Sequence, residues 1–454
     1  MSRLELRAVL SLASVFSVRL LGLFMIYPVF ATYARHLSGA TPVRIGLALG
    51  AYGLSQGLLQ IPFGLMSDRV GRKTMIVLGL VLFAAGSAVA AASTSIGGVL
   101  VGRVLQGTGA VGSVILALVA DLTREDSRTR AMATVGVSIG VSFLIAIVAG
   151  PVLSGLIGVD GIFWLMVPLA AIGIAITLWV VPTPQRERTH LDAEAVPSRL
   201  GSVLRNGELL RLDFGIFALH AILTASFLTL PHLLDGAFGV TSERQWMIYL
   251  PVLVLSVIVM VPAIIVGETR RRMKEVFLVA IAVLLASQAG FAFGVPDRAA
   301  IFVAAVAFFA AFNAAEALLP SLVTKAAPAG AKGTATGVYS SAQFLGIFFG
   351  GAVGGWAHAW AGAGGTFAFA AAMAVAWFLV AATMRRPGRH STYLAPLGEA
   401  AGGDAERLAS RLERLPGVLE VVVVPEEGTA YLKIDRDTFQ PADVEKLVGA
   451  AQPG

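Results

Sequence analysis

Apolar residues run in long blocks through most of this chain, parted by short polar breaks. A block of about twenty apolar residues crosses a bilayer core as a helix, and one of about ten does not. Twelve blocks reach spanning length, near 8–35, 43–66, 74–92, 96–120, 131–156, 161–181, 212–235, 246–267, 276–295, 299–324, 334–359 and 364–384. The first does not read as a cleavable signal, because it is too long, carries Arg19 and precedes eleven more. The longest internal break, 182–211, is rich in Pro, Arg and Glu and separates six blocks from six. After Arg389 the pattern shortens. Thr392–Leu397, Val418–Val424 and Thr429–Ile434 read as strands, with a turn at Glu427-Gly428 between the last two. Asp404–Leu415 and Asp443–Ala450 read as helices, the second opened by Pro441. The expected architecture is therefore an all-α membrane protein of two six-helix bundles, with a small α+β ferredoxin-like unit behind them. Its parts are expected at 1–181, 182–211 (a cytoplasmic linker), 212–389 and 390–454.

The two bundles echo each other. Asp68-Arg69-Val70-Gly71-Arg72 follows the second block, and Glu268-Thr269-Arg270-Arg271-Arg272 follows the eighth. Ala117-Leu118-Val119 closes the fourth block and Ser321-Leu322-Val323 the tenth. Gly150 and Gly354 fall at the same offset late in the fifth and eleventh. A repeat of this kind belongs to alternating-access carriers, whose binding site lies between the halves near mid-membrane.

Composition strengthens this reading. Apolar residues make up 56% of the chain and charged residues 14%, too little charge to cover a soluble protein of 454 residues. The 50 glycines and 20 prolines suit membrane helices, where small residues permit close packing. The absence of cysteine excludes disulfides, thiolate metal sites and Cys nucleophiles. Residues 1–390 hold 28 Lys/Arg against 17 Asp/Glu, and residues 391–454 hold 6 against 11. With both termini cytoplasmic, inside loops and flanks carry 22 basic residues and outside loops four: Arg35, Arg44, Arg244 and Arg298. Basic loops beside anionic membrane lipids account for the positive charge without any nucleic-acid partner. No Walker A sequence, Gly-x-Ser-x-Gly elbow or zinc-binding His pair is present, so neither enzyme chemistry, a metal, a cofactor nor ATP drive is expected. The energy source is then an ion gradient, and buried Glu, His and Arg favour protons.

The sharpest motif is Gly64-Leu-Met-Ser-Asp68-Arg69-Val-Gly71-Arg72-Lys73, between the second and third blocks. Gly64 permits close helix contact and Gly71 a tight turn. Asp68 stands where a carboxylate can face the N-terminus of a neighbouring helix, and Arg72 can pair with an acid such as Asp121. Such contacts, made in one conformation only, act as a latch; the plain alternative is a positive-inside hairpin. The fourth block carries Gly102-Arg103-Val-Leu-Gln106-Gly107. Arg103 within lipid faces either a wet cavity or helix carbonyls. The fifth ends in Gly150-Pro151-Val-Leu-Ser154-Gly155, where Gly-Pro bends the helix and glycine packs it.

These three stretches resemble motifs A, B and C of the major facilitator superfamily, and the chain resembles its drug:proton antiporters, in a twelve-helix form with an extra C-terminal domain. Phe16-Ser17-Val18-Arg19, Gln60-Ile61-Pro62-Phe63-Gly64, Asp121-Leu122-Thr123-Arg124-Glu125, Glu316-Ala317-Leu318-Leu319-Pro320-Ser321-Leu322 and Gln343-Phe344-Leu345-Gly346 extend the likeness over nearly the whole length. The resemblance implies that Asp68 faces the start of the eleventh helix near Gly337 and that Arg72 with Asp121 latches the outward-facing state. It also implies a role in proton coupling for Arg103 and export as the direction, through the motif C glycines. Ser154-Gly155 departs from the usual glycine pair there.

Other ionisable groups inside the blocks are Arg19, His220 and Glu316, with Asn313 one turn before Glu316. In apolar surroundings an unpaired carboxyl loads and releases a proton near neutrality, so Glu316 is the first candidate for the proton carrier. Its alternative is a permanent salt bridge with Arg19 or another cation. His220 reads either as a titrating group or as a hydrogen-bonded packing residue. Asp213 and Asp235, near the ends of the seventh block, are expected to face water or headgroups. Gln56, Gln60, Gln288 and Gln343 line a cavity or bond between helices. The C-terminal unit resembles the accessory domain of that antiporter subgroup and carries no metal-binding Cys; a regulatory ligand or partner and a passive appendage remain its two readings. The expected function is proton-coupled export of small, lipophilic or drug-like compounds from the cell across its inner membrane. Its rivals are proton-coupled import of a sugar or organic acid, and a membrane sensor that transports nothing.

Overall fold

A computed structural model describes residues 1–183, 195–270, 272–293, 297–385, 390–397, 405–425, 428–435 and 438–449. Linker residues 184–194, and Arg271, Asp404, Glu427 and Ala450 of the expected elements, lie outside these residues. Helix α1 (Arg3–Met25) passes into α2 (Tyr27–Ala34) across a kink at Ile26, just before Pro28. The long α3 (Pro42–Val70) starts behind Thr41, whose hydroxyl accepts from the Arg44 N–H at 3.3 Å. Gly71, at φ 97°, ends α3 and starts α4 (Arg72–Ala91); a side chain there would be strained. The fourth crossing is broken, α5 (Ile96–Thr108) and α6 (Gly112–Asp121) meeting at Gly109–Val111.

Helix α7 (Glu125–Ala175) holds two crossings that divide at Gly158, where φ is 74°. A short linker helix α8 (Pro197–Leu204) precedes α9 (Gly207–Phe238). The seventh crossing thus starts five residues before its expected position at 212. Asn206 caps it, and Arg211 pairs with Glu208 at 3.1 Å, so the charged first turn stays helical. Then come α10 (Trp246–Thr269), α11 (Met273–Phe293), α12 (Arg298–Ala326) and α13 (Lys332–Ala382). The last divides at Ala361-Gly362 into the eleventh and twelfth crossings. With α1–α2 and α5–α6 counted as one crossing each and α7 and α13 as two each, the described helices match the twelve crossings expected. Among the described residues nine segments reach the length and apolarity of a span, α3 not among them. Leu156, Trp179, Phe293, Trp356 and Trp360 are each more than half exposed, as side chains in contact with lipid would be.

Glycine sets the closest contacts. Gly46, Gly50, Gly53 and Gly57 form one stripe along α3, against which α13 lies antiparallel from Gly355 back to Ser341. The repeat noted above has a packing meaning. Gly150 rests α7 on Met25 of the first crossing, and Gly354 rests α13 on Ala225 of the seventh. In each half the fifth helix seats on the first through the same glycine.

The C-terminal domain comprises β1 (His390–Pro396), α14 (Ala405–Glu413), β2 (Val418–Val424), β3 (Thr429–Asp435) and α15 (Pro441–Gly449). Both pairings are antiparallel and β3 is central, giving the order β1-β3-β2. Leu408, Leu412, Val444 and Val448 from the helices cover Ala430, Leu432 and Ile434 of β3.

A Cβ on Gly50 would stand 2.9 Å from the Phe348 backbone, whereas at Gly136 of α7 it would meet nothing within 4 Å. Gly50→Ala should therefore destabilise the protein by about 1–3 kcal/mol, and Gly136→Ala should leave it unchanged or slightly more stable. Thermal unfolding of the two variants in detergent checks this, and equal shifts would contradict the contact.

Candidate functional site

At the α3–α4 turn the motif A charges form one cluster. Arg72 is buried, and its Nη1 donates to Asp68 and, at 2.6 Å, to the Ser67 hydroxyl. Its Nε donates to Asp121 Oδ2 at 3.3 Å, tying the ends of α3, α4 and α6 together. The Asp121 side chain is fully enclosed, whereas Asp68 is 31% exposed. All three residues belong to the first half. The part that faces the second half is a small cavity lined by Gly64, Asp68 and Arg72, by Ser113 of α6, and by Gly333 and Gly337 of α13. Arg69 is exposed, and Lys73 donates to the Thr183 hydroxyl at 3.3 Å.

Deeper in the first half, two buried arginines flank one tyrosine. The guanidinium carbons of Arg19 and Arg103 lie 5.6 and 5.1 Å from the Tyr52 ring centre. Arg19 donates to Gln56, which donates on to Gln60 at 2.7 Å. Arg103 donates to Gln106 Oε1 at 2.9 Å and to the Leu49 carbonyl at 3.4 Å, which brings in the helix-carbonyl alternative. Gln106 continues to the Ser87 hydroxyl at 2.8 Å. Gly107 lets α5 meet α3 at Ser55. Of the motif C residues, Gly150 and Pro151 are buried, and Ser154 is half-buried. Gly155 sits against Glu243, just before α10, so this stretch joins the two halves at the end away from the α3–α4 turn. Tyr27 Oη and Thr224 Oγ1, 3.3 Å apart, join them on the same side.

The carboxylates sit in the second half. The Gln343 amide nitrogen donates to Glu316 Oε1 at 3.2 Å and to His220 Nε2 at 2.9 Å. In that arrangement the His220 proton is on Nδ1, which donates to the Ile216 carbonyl at 3.3 Å; Glu316 Oε2 is 3.9 Å from the same nitrogen. No bond joins Glu316 to Arg19, whose amide partner Gln56 lies in the other half, so the permanent salt bridge is not formed here. Asn313 turns aside and donates to Ser256 of α10 at 3.4 Å. The Glu316 side chain is 32% exposed while Oε2 is enclosed. Pro320 and Thr324, one and two turns on, extend this exposed stripe to the α12–α13 turn.

Asp213 corrects an expectation. Rather than facing water it is buried, at 7% exposure, and neither oxygen has a hydrogen-bond partner among the described residues. It lies two turns before His220 on the same face of α9. Tyr339, one turn before Gln343 on α13, is buried with no partner for its hydroxyl among the described residues, and is within electrostatic range of both Asp213 and Glu316. That spacing to His220 and to Gln343 was readable in the sequence, but the burial was not.

Two six-helix halves meeting around enclosed polar groups, with an ion cluster at one helical hairpin, define a membrane transporter of the alternating-access kind. Residues 12–351 match the Major Facilitator Superfamily, and residues 399–450 match the YajR YAM domain. The chain belongs to the Major Facilitator Superfamily. It is 42% identical to the inner membrane transport protein YajR of Escherichia coli over 447 residues, 98% of each chain. It is 34% identical to multidrug resistance protein 2 of Bacillus subtilis over 32% of this chain and 37% of that one. Among solved structures, a bacterial homologue of the lysosomal transporter Spinster, in an inward-facing and occupied conformation, superposes with a TM-score of 0.66 at 16% identity. It covers 85% of this chain and 98% of that one, a likeness of fold.

Removing Arg72 takes away the buried guanidinium that Asp68, Ser67 and the enclosed Asp121 share. Arg72→Met should cost about 3 kcal/mol or more, against less than about 0.5 for Arg69→Met on the surface. Denaturant or thermal titration of the purified protein distinguishes them, and similar losses would refute the buried cluster.

Proposed function

We propose that this transporter exports small, lipophilic or drug-like compounds across the inner membrane in exchange for protons. The observation that carries the reading is Glu316: a carboxyl with one oxygen enclosed, bonded to an amide, at the head of an exposed stripe. A carboxyl so placed, without a fixed cation, is suited to gaining and losing a proton as its surroundings open and close. His220 shares the Gln343 amide and responds to the same change. Asp213, with Tyr339 between it and Glu316 in electrostatic reach, serves as a second acid on the path from the α3–α4 side. The two buried arginines around Tyr52 place positive charge in the opposite half.

Support for export comes from the motif C stretch and from the resistance protein among the relatives. The charge balance of the loops supports a cytoplasmic α3–α4 turn and cytoplasmic termini. In that orientation the stripe ending at Glu316 opens inward, and the Tyr27–Thr224 and Gly155–Glu243 contacts close the outer side. The latch is then the face that Asp68 presents to Gly337, held in place by Arg72 and Asp121.

A pH-gradient assay in inverted vesicles, screened with lipophilic cations and other drug-like compounds, tests this. Substrate should release protons from an acidified lumen, and Glu316→Gln should abolish the release with membrane insertion intact. Asp213→Asn should slow it several-fold and shift its pH dependence. Proton flow in the same direction as the substrate would replace export by symport. An unchanged response in Glu316→Gln would remove Glu316 as the carrier.

A further inference from the structure

The outer face of the C-terminal sheet is covered by the membrane part. Alternation along β3 sends Ala430, Leu432 and Ile434 toward α14 and α15, and Tyr431 and Lys433 the other way. On β2, Val421 and Val423 face the helices and Val422 and Val424 face out. A sheet with helices on one side commonly keeps its second face polar and wet. Here Tyr431 is fully buried, and with Leu394, Val422 and Val424 it packs on Ala329 of the α12–α13 turn and on the half-buried Val196, the last linker residue before α8.

Two polar contacts set how the sheet sits. Glu420 Oε2 accepts from the Ala329 N–H at 3.0 Å. Lys433 Nζ donates to the Ala327 and Ala326 carbonyls at 3.1 and 3.4 Å. Carbonyls at the C-terminal end of α12 lack partners within the helix and carry the negative end of its dipole, so a lysine caps them well. Burial pushes the Lys433 ammonium below its ordinary pKa, and Glu420 partly opposes the shift.

The linker end continues from the sheet into the junction between the halves. The Val196 N–H donates to the Thr334 hydroxyl at 2.9 Å, in the first turn of α13. Ala195 lies against Gly337, where an added Cβ would stand 3.3 Å from its own. Ala195 also lines the cavity that Asp68, Gly64 and Ser113 share with Gly337. One side of this dipeptide thus meets the sheet and the other meets the place where the two halves face each other.

We infer that the C-terminal domain is a strap for the transport cycle. Its outer sheet face takes the α12–α13 turn and Val196 as an internal partner, and by doing so holds Ala195 between Asp68 and Gly337. When α3 and α13 part at this end, Ala195 loses one of its two walls, and the sheet resists that separation as long as it grips Val196 and Ala329. Release of the sheet frees the linker end and eases the separation.

The absence of cysteine makes this testable in the full-length protein in native membranes. Ala195→Cys with Gly337→Cys puts two Cβ atoms close to the separation a disulfide needs, about 3.8 Å. With the rest of the chain intact, mild oxidation should bridge them rapidly. Adding Glu420→Ala with Lys433→Ala, or separately Val422→Lys, should slow bridging several-fold; all three side chains point away from the domain's own core. Bridging as fast in both backgrounds as in the parent would overturn the strap. Failure of the parent pair to bridge, in protein that inserts normally, would overturn the placement of Ala195 and the inference with it.

Discussion

Helix α3 and the eleventh crossing, the first part of α13, come from opposite halves of the molecule and lie against each other from Gly355 to Gly337, and much else in the structure hangs on that contact. In lipid there is no hydrophobic gain in bringing two apolar helices together, so close association depends on packing at short range. The stripe Gly46, Gly50, Gly53 and Gly57 removes the side chains that would keep the backbones apart. Near one end of the contact lies the cavity between Asp68 and Gly337, and on α13 midway stands Gln343, bonded to Glu316 and His220. A shift of α13 against α3 would therefore alter the ion cluster's neighbour and the carboxyl's partner together. The charged hairpin and the buried acid lie on different helices but share a neighbour in α13, through Gly337 and Gln343.

Away from the ends of the first-half helices, the buried charges described above divide between the halves. Arg19 and Arg103 surround Tyr52 in the first, and Asp213 and Glu316 lie in the second, with amide side chains as their nearest partners in the case of Arg19 and Glu316. Amides are suited to this place, since they donate to a carboxylate, accept from a guanidinium, and fix neither as a permanent ion pair. A direct Arg19–Glu316 bridge would tie the halves to each other and would be costly to break in a low-dielectric interior. Keeping the opposite charges apart avoids such a tie between the halves.

The small C-terminal domain follows the physics of any two-layer α/β unit on its helix-covered face. Its other face is another matter: Val418-Leu-Glu-Val-Val-Val-Val424 lacks the alternation of a strand with one wet side. The structure supplies the missing cover in the α12–α13 turn and the linker end. A domain that is part of the chain, yet touches the segment joining the two halves, is placed to respond to their motion.

Twelve crossings, their division into halves and the βαββα order of the tail were legible in the sequence, because lipid demands long apolar runs and strands and helices differ in period. The motif A charges were also legible, since a turn glycine and acids at fixed spacing constrain their neighbours locally. What only the tertiary structure decided concerns which partners distant residues find. Nothing in the local pattern around Asp213 separates a carboxyl at a wet helix end from a buried one, because burial depends on how α13 crosses α9. The choice between a salt bridge and an amide for Glu316, and the packing of Ala195 between sheet and junction, likewise rest on contacts between residues 37, 91 and 138 positions apart. Hydropathy records the solvent each helix needs, whereas the position of a charge within the bundle is a property of helix crossing, which no single segment encodes.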